Sequence, residues 1–394
     1  MNIGRVKKYQ FNNKGGGDSI LDIPFGISWD AYTAKGASMH ALYQYLVTIG
    51  AGFGNTAYVR ASGNDATALV GNILKPYATI GAAITAIGTL TSSAIAIDAG
   101  AYNVSDADAP FGLKAPNSRY SLVCEVGVTI NYTGTYGMWC QSSSESGGIY
   151  GYGNFVISSS TASKVIDGKN NYAFNVASVS GVTTYEFETI RSEASTGSMN
   201  LMRVGNWGNV AVAQINVRNR AYCRTGAVIT ADTASSSKWT GAGTYDAVND
   251  LGAASNYTLQ ITNPQRLDMY NMSMSARGSA FGNANLKLAD INNTANSLIK
   301  FINVEFVCIS SPVGYELIKF SGVAATMDNL LFKNCSLRSR QSTSFSTNGN
   351  SITVPSNTSL KIIDTYAERN TGGAGSITNL ISTGNGLMVE PNIV

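Results

Sequence analysis

Short runs rich in β-branched and aromatic residues, separated by clusters of Gly, Ser, Asn and Thr, fill the chain from about residue 120 onward. Their separations of roughly 20 to 30 residues suit coils of three short strands with intervening turns. Only 13% of the residues are charged, against a typical value of about 25%, so long surface helices are not expected. The best-formed runs are Ser121 to Ile130, Gly153 to Ser158, Tyr185 to Ile190, Val210 to Val217, Tyr257 to Thr262, Leu267 to Met274, Leu298 to Ile309 and Met327 to Leu337.

Asparagine recurs just before an apolar residue in several of these runs. Asn271 precedes Asn303 by 32 residues in a similar local sequence, and Asn329 follows Asn303 at a spacing of 26. Asn216 with Val217 looks like an earlier copy. Asparagine tolerates the left-handed turn conformation, and stacked amides can bond along the axis of a solenoid, so the pattern predicts an asparagine ladder. A β-sandwich is the competing fold, but it would show more hairpin signals between strands.

One short helix is predicted ahead of these runs. Thr79 is the N-cap candidate and Gly88 the stop signal. Between them the apolar residues follow a one-faced helical pattern, formed by Ile80, Ala83, Ile84 and Ile87. The flanking segments, around Tyr58 and from Ala94 to Tyr102, are predicted strands, the second of which ends in a glycine turn.

The stretch from Asn55 to Tyr102 also resembles the opening of a known family. Its motifs are Ser62-Gly63-Asn64-Asp65, Lys75-Pro76-Tyr77-Ala78-Thr79-Ile80 and Ala99-Gly100-Ala101-Tyr102. They are similar to the start of the pectate-lyase-like, right-handed parallel β-helix domains of phage tailspikes and fibres. The resemblance implies an all-β solenoid in which the short helix caps the exposed end of the first coil.

Residues 1–54 carry a different pattern. Leu42, Tyr45, Leu46 and Ile49 form the apolar face of a second short helix, which needs a partner because it is too short to be stable alone. The segment from Phe25 to Tyr43 is similar to one common in phage tail-fibre and baseplate proteins. We therefore expect three regions: an attachment and oligomerisation segment at 1–54, the β-helix with its cap at 55–339, and a terminal cap or trimerising tip, without regular coils, at 340–394.

Several classes of function are disfavoured by composition. His40 is the single histidine, which removes histidine-based nucleophilic triads and multi-histidine metal sites, and no cofactor motif is present. A net charge of +3 is too small for a nucleic-acid footprint. The five cysteines lack metal or disulfide spacing and are expected to be buried thiols. Neither a signal peptide nor a membrane-spanning stretch is recognised, so we expect assembly in the host cytoplasm without membrane insertion.

Paired carboxylates are the remaining route to chemistry, because glycoside hydrolysis uses two acids. Glu186 and Glu188 lie two apart on a predicted strand and therefore share a face, and Glu193 follows in the next turn. Asp246 and Asp250, in a predicted loop, are weaker candidates. Two acidic residues two positions apart on an exposed strand more often make that face of the strand soluble than catalyse a reaction. We therefore assign no catalytic residues.

Sugar binding requires only exposed aromatic rings and polar groups. Five aromatic residues in Gly-rich surroundings are the candidates, with partial burial or a subunit interface as the alternative role: Tyr150, Tyr152, Trp207, Trp239 and Tyr245.

These patterns favour a structural virion protein of a bacteriophage. We expect a homotrimeric fibre or spike that attaches through residues 1–54 to other virion proteins, in the tail, near the portal or in the capsid, and presents its β-helix to a host surface polysaccharide. A polysaccharide depolymerase of the same fold, a hydrolase or lyase, is the alternative. A bacterial surface adhesin is disfavoured because no signal peptide is recognised.

Overall fold

The structure is a computed structural model of the 394-residue chain. It describes residues 55–142, 144–158, 172–176, 182–193, 200–205, 212–224, 226–232, 235–249, 257–278, 287–292, 298–308, 318–320, 327–339, 352–353, 358–369, 381–382 and 387–390. All of them belong to the second of the two units into which the chain divides, Gly52–Val394. The predicted attachment segment at 1–54, including His40, lies outside the described residues.

Helix α1, Ile80–Ile87, begins and ends where the sequence predicts. The hydroxyl of Thr79 accepts a hydrogen bond from the Ala82 amide at 3.2 Å. The same hydroxyl donates a hydrogen bond to the Asp65 carboxylate at 2.9 Å. Gly88, at φ +52°, ends the helix by donating its amide to the Ile84 carbonyl. The apolar face is buried against the first strands and shields the end of the solenoid core, in agreement with the predicted cap.

Twenty-six strands are found in the part of the chain that the structure describes, and they form three parallel stacks. Nine short strands make the third stack: β6 Trp139–Gln141, β8 Tyr172–Val176, β10 Asn200–Val204, β12 Ile229–Ala231, β15 Tyr257–Thr262, β17 Lys287–Asn292, β19 Ile318–Phe320, β22 Ile352–Thr353 and β25 Ile381–Ser382. The strands confined to the first stack are β1 Thr56–Val59, β2 Ser93–Ile97, β4 Tyr120–Cys124, β13 Ser236–Thr240, β20 Met327–Lys333, β23 Thr358–Ile363 and β26 Leu387–Glu390. Those confined to the second are β3 Gly100–Val104, β5 Val128–Tyr132, β14 Thr244–Asn249, β21 Ser336–Ser339 and β24 Tyr366–Arg369.

Long strands cross the corner between the first and second stacks and join them into one sheet. These are β7 Ile149–Ile157, β9 Val182–Ser192, β11 Val212–Cys223, β16 Arg266–Gly278 and β18 Leu298–Cys308. Except at the two ends of the stacks, each strand pairs in parallel with the strand one coil earlier and one coil later, as in the register that links Met269 to Phe301 and Phe301 to Phe332. The fold is therefore the predicted right-handed parallel β-helix.

An asparagine ladder occupies the corner between the first two stacks. Asn271, Asn303, Asn334 and Asp364 stand at corresponding positions of successive coils, and all have φ between +48° and +55°. The predicted spacing of 32 residues from Asn271 to Asn303 is confirmed. The predicted match of Asn303 with Asn329 is wrong: Asn329 pairs with Leu298 inside a strand. Asn216 also lies within a strand rather than in the ladder, paired with Thr240.

The interior of the solenoid is a column of stacked apolar side chains. Phe301 and Phe332, one coil apart, stack with ring centroids 4.8 Å apart. Trp139 lies edge-on to Tyr185 from the opposite stack, and both donate hydrogen bonds to Oε1 of the buried Gln141, at 3.2 and 3.0 Å. Continuity of this column between coils is what makes the coils stable, since each coil alone buries little.

Two predictions about the strands need correction. The segment from Ala94 to Tyr102 is not one strand ending in a turn but two, β2 and β3, which meet at a corner around Asp98. In the predicted terminal cap at 340–394, the described strands β22 to β26 continue all three stacks in register, so regular coils extend into it.

Cys124, Cys140, Cys223 and Cys335 are buried thiols, as predicted, and burial raises the pKa of the Cys124 thiol to about 12. Within the described residues, no group of His, Cys, Asp and Glu is arranged to hold a metal ion. None of the helical structure described there is long and apolar enough to cross a membrane.

Candidate functional site

Four polar side chains from three consecutive coils meet on the outer surface, where the first stack turns into the second. They are Tyr152 of β7, Glu186 of β9, and Asn216 and Arg218 of β11, and we call them the corner cluster. Glu186 and Asn216 are direct neighbours in the parallel register. Strand alternation places them outside, because Tyr185, Phe187, Ile215 and Val217 on either side of them are fully buried.

Tyr152 is the centre of the cluster and adopts a conformation that bulky residues rarely take. Its φ is +59°, and the preceding Gly151 has φ +87°, so the strand bends sharply here. The bend aims the ring outward, where the guanidinium carbon of Arg218 lies 3.5 Å from the ring centroid. Backbone strain of this kind, held by surrounding contacts, is concentrated at functional positions in proteins.

Hydrogen bonds tie the cluster to the backbone of the solenoid. The Nδ2–H group of Asn216 donates a hydrogen bond to the Tyr152 hydroxyl at 2.8 Å. The carboxylate of Glu186 accepts a hydrogen bond from the Gly151 backbone amide at 2.9 Å. Gly241, at φ +114°, approaches Asn216 so closely that a Cβ there would lie 2.6 Å from Asn216 Oδ1. The side chains are therefore positioned by strands, which hold a binding site more accurately than loops do.

The electrostatics of the cluster keep the phenol protonated. Burial raises the pKa of Tyr152, the negative charge of Glu186 raises it further, and the positive charge of Arg218 lowers it. Near neutral pH the surface thus presents one carboxylate, one guanidinium, one amide and one neutral phenol. Such a set of donors and acceptors beside an aromatic ring matches the hydroxyl groups and apolar ring faces of sugars.

The structure brings only some of the predicted carboxylates together. Glu186 belongs to the corner cluster, and Glu188 projects from the same strand between the buried Phe187 and the bulge that follows it. Glu193 lies beyond the end of β9 and forms an exposed ion pair with Arg191 at 3.1 Å. Asp246 is in strand β14 rather than a loop and is buried against Arg220, 2.7 Å away. Asp250 lies outside the described residues.

The aromatic candidates divide between the surface and the core. Tyr150 is 37% exposed and Tyr152 lies in the corner cluster, so both remain candidates. Trp239 and Tyr245 were candidates either for sugar binding or for partial burial, and the structure excludes an exposed ring for both: they are 0% exposed and pack edge-on at 6.4 Å in the interior. They sit at inward positions of β13 and β14, where nearby glycines shape the corner rather than expose the rings. Trp207 lies outside the described residues.

Arg218 is the member of the cluster that sequence reasoning missed. Its only signal is its place just after the apolar run that ends at Val217, where the strand reaches the corner. The contact with Tyr152 spans 66 residues of sequence and two coils, so no local pattern could have revealed it.

Neither the family models, nor the curated proteins, nor the solved structures compared with this chain give a match. The fold and the geometry of the corner cluster therefore carry the functional argument.

Proposed function

We propose that this protein is a structural fibre or spike protein of a bacteriophage virion that binds a glycan on the host surface. The observation that carries the proposal is the corner cluster, in which Tyr152, Glu186, Asn216 and Arg218 are held outward on a rigid solenoid. The weakly charged composition and the resemblance of Asn55 to Tyr102 to the start of tailspike β-helices support the same assignment.

In this proposal the chain works as a homotrimer, attached to other virion proteins through residues 1–54. Trimerisation would place three corner clusters on one particle, so that weak sugar contacts add up to firm attachment. Sedimentation equilibrium of the full chain is expected to give the mass of three 41.5 kDa subunits. A single-chain mass at all concentrations would contradict the trimer.

Adsorption of the labelled protein to bacterial cells tests the adhesive role. Binding is expected to disappear when surface glycans are destroyed by periodate, and to weaken about tenfold in Arg218→Ala, which removes the cation over Tyr152. Arg119→Ala, which removes an exposed cation in another part of the chain, is the matched control and should bind normally. Adsorption that survives periodate would show that the receptor is not a glycan.

A depolymerase of the same fold is the second candidate, because Glu188 projects from the same outer face of β9 as Glu186 of the corner cluster. It predicts release of reducing ends from a bound surface polysaccharide. Glu188→Gln should abolish that release, whereas Glu193→Gln, in the exposed pair with Arg191, should leave it unchanged. If the polysaccharide binds and no reducing ends are released, the adhesive role is supported and the depolymerase is excluded.

A further inference from the structure

A second surface begins on the coil next to the corner cluster, where Lys238 pairs with Gln214 of β11, and it carries a regular row of positive charge. Three lysines occupy one outward column of the first stack, on alternate coils: Lys238 of β13, Lys300 of β18 and Lys361 of β23. The register gives the order Lys238, Asp268, Lys300, Leu331, Lys361 from coil to coil. We call these three residues the lysine column.

The side chains of the column point into solvent. Their strand neighbours are core residues, with Trp239, Ile299, Phe301 and Ile362 all at most 1% exposed. Lys238 and Lys361 are exposed and Lys300 is half-buried. Lys238 also lies over the ring of Tyr270, with its Nζ atom 5.6 Å from the ring centroid.

Among the described residues, the strand neighbours of these lysines do not cancel the positive charge of this surface. Asp268, the carboxylate within the column, is buried and bound by Arg266 at 2.6 Å, so its charge is already balanced. Lys333 adds a fourth exposed cation one coil before Lys361, in the adjacent outward column. On the first-stack part of β13, β16, β18, β20 and β23, Asp268 is the carboxylate among the described side chains, and Glu305 of β18 lies beyond the corner, on the second stack beside Arg338.

The spacing of the charges follows from the fold. Adjacent parallel strands are about 4.8 Å apart, so lysines on alternate coils recur about every 9.6 Å along the solenoid axis. The intervening Leu331 offers an apolar contact between two of the lysines. A linear ligand that lies along this column must therefore carry widely spaced negative charges.

We propose that the lysine column binds an acidic polysaccharide aligned with the solenoid axis, with one carboxylate or other anionic group about every 10 Å. Nucleic acid fits less well, because duplex DNA carries a negative charge about every 1.7 Å and is bound by denser basic surfaces. The inference rests on the proposed function for the source of the polymer, a host surface, and it deepens that function by naming the charge and charge spacing of the glycan.

Titration of the full-length protein with hyaluronan, which has one carboxylate per disaccharide, tests the proposal, with uncharged dextran as the blank. An exposed ion pair contributes up to about 1 kcal/mol, or roughly two- to fivefold in affinity per lysine. The triple variant Lys238→Gln, Lys300→Gln and Lys361→Gln should therefore bind hyaluronan about tenfold or more weakly. Added salt should weaken binding by the wild type more than binding by the variant.

The matched control changes three exposed cations away from this face: Lys75→Gln, Arg119→Gln and Arg191→Gln. It should bind hyaluronan like the wild type. Equal loss in both triple variants, absence of hyaluronan binding, or tighter binding of a single-stranded oligonucleotide at the same salt would each overturn the proposal. Adsorption to bacterial cells and its loss in Arg218→Ala are measured separately from hyaluronan binding, so failure of the hyaluronan test with adsorption intact overturns this inference and leaves the proposed function standing.

Discussion

Asn303 donates a hydrogen bond from Nδ2 to Oδ1 of Asn271 in the preceding coil, at 2.8 Å, and both residues have φ of +55°. The contact couples two requirements of a solenoid corner, because the same residue must accept a left-handed backbone and link one coil to the next. Asparagine meets both needs, since it visits this conformation readily and its amide carries a donor and an acceptor.

Replacing Asn303 separates the two contributions. Asn303→Ala loses the hydrogen bond, and alanine at positive φ is strained because its side chain cannot form the local hydrogen bonds that asparagine forms. The variant should lower the free energy of unfolding by about 1–2 kcal/mol. Asn303→Gly keeps the backbone conformation at little cost and should lose less. Thermal unfolding midpoints should decrease in the order wild type, Asn303→Gly, Asn303→Ala. An Ala variant as stable as the Gly variant would contradict the explanation that positive φ selects asparagine at this corner.

Lys114 predicts a pH dependence of stability. It is fully buried, with Nζ donating to the carbonyls of Tyr120 and Ser146 at 2.7 and 2.6 Å, and burial lowers its pKa to about 7. An unfolded lysine titrates near 10.4, so between about pH 7 and pH 10 the unfolded chain binds the extra proton. The contribution of Lys114 to stability should therefore rise with pH across that window.

Lys114→Met removes this titration while keeping the length of the side chain. Unfolding free energies of wild type and variant, measured between pH 6.5 and 9.5, should differ by an amount that changes with pH. Lys75→Met, at an exposed position, is the control and should give a curve parallel to that of the wild type. Parallel curves for Lys114→Met as well would show that its pKa is not lowered by folding.

Arg203 forms a buried ion pair on the third stack. Its side chain is 1% exposed, lies 2.6 Å from Asp232 Oδ2 and donates to Asn175 at 3.0 Å. Arg203→Met leaves the Asp232 carboxylate without this guanidinium and should destabilise the fold by about 3–5 kcal/mol. Arg191→Met breaks the exposed pair with Glu193 and should cost less than about 1 kcal/mol. Denaturant titration compares the two, and similar losses would mean that the Arg203 pair is effectively solvated.

The sequence was sufficient for the class of fold and for the cap, because both depend on local signals. Helix α1 has a cap residue, a one-faced apolar pattern and a terminal glycine, and every one of them acts as predicted. The long strands β9, β16 and β18 were also recognised, since each contains a run of alternating or continuous apolar residues.

The third stack was largely missed for a physical reason. Its strands are short, and in β6 and β10 residues on both faces are buried, so the alternation that marks a half-exposed strand is absent. The register was also partly misjudged: Asn329 and Asn334 are both plausible ladder residues by composition, and pairing with β18 selects Asn334.

The candidate site was predictable in part. Tyr152 was identified as a sugar-binding candidate and Glu186 as a candidate catalytic carboxylate, but their proximity depends on the register of β7 and β9 and on the bend at Gly151. Trp239 was misassigned because a glycine-rich neighbourhood does not report which face of the strand is inward.

Binding of purified bacterial surface polysaccharides to the full-length protein on a glycan array tests the central claim most directly. The account predicts that a discrete set of glycans binds, that Arg218→Ala loses this binding by about tenfold, and that the exposed-site control Arg119→Ala retains it. Failure to bind any bacterial glycan, or binding that Arg218→Ala leaves unchanged, would contradict the assignment of the corner cluster as a glycan-binding site.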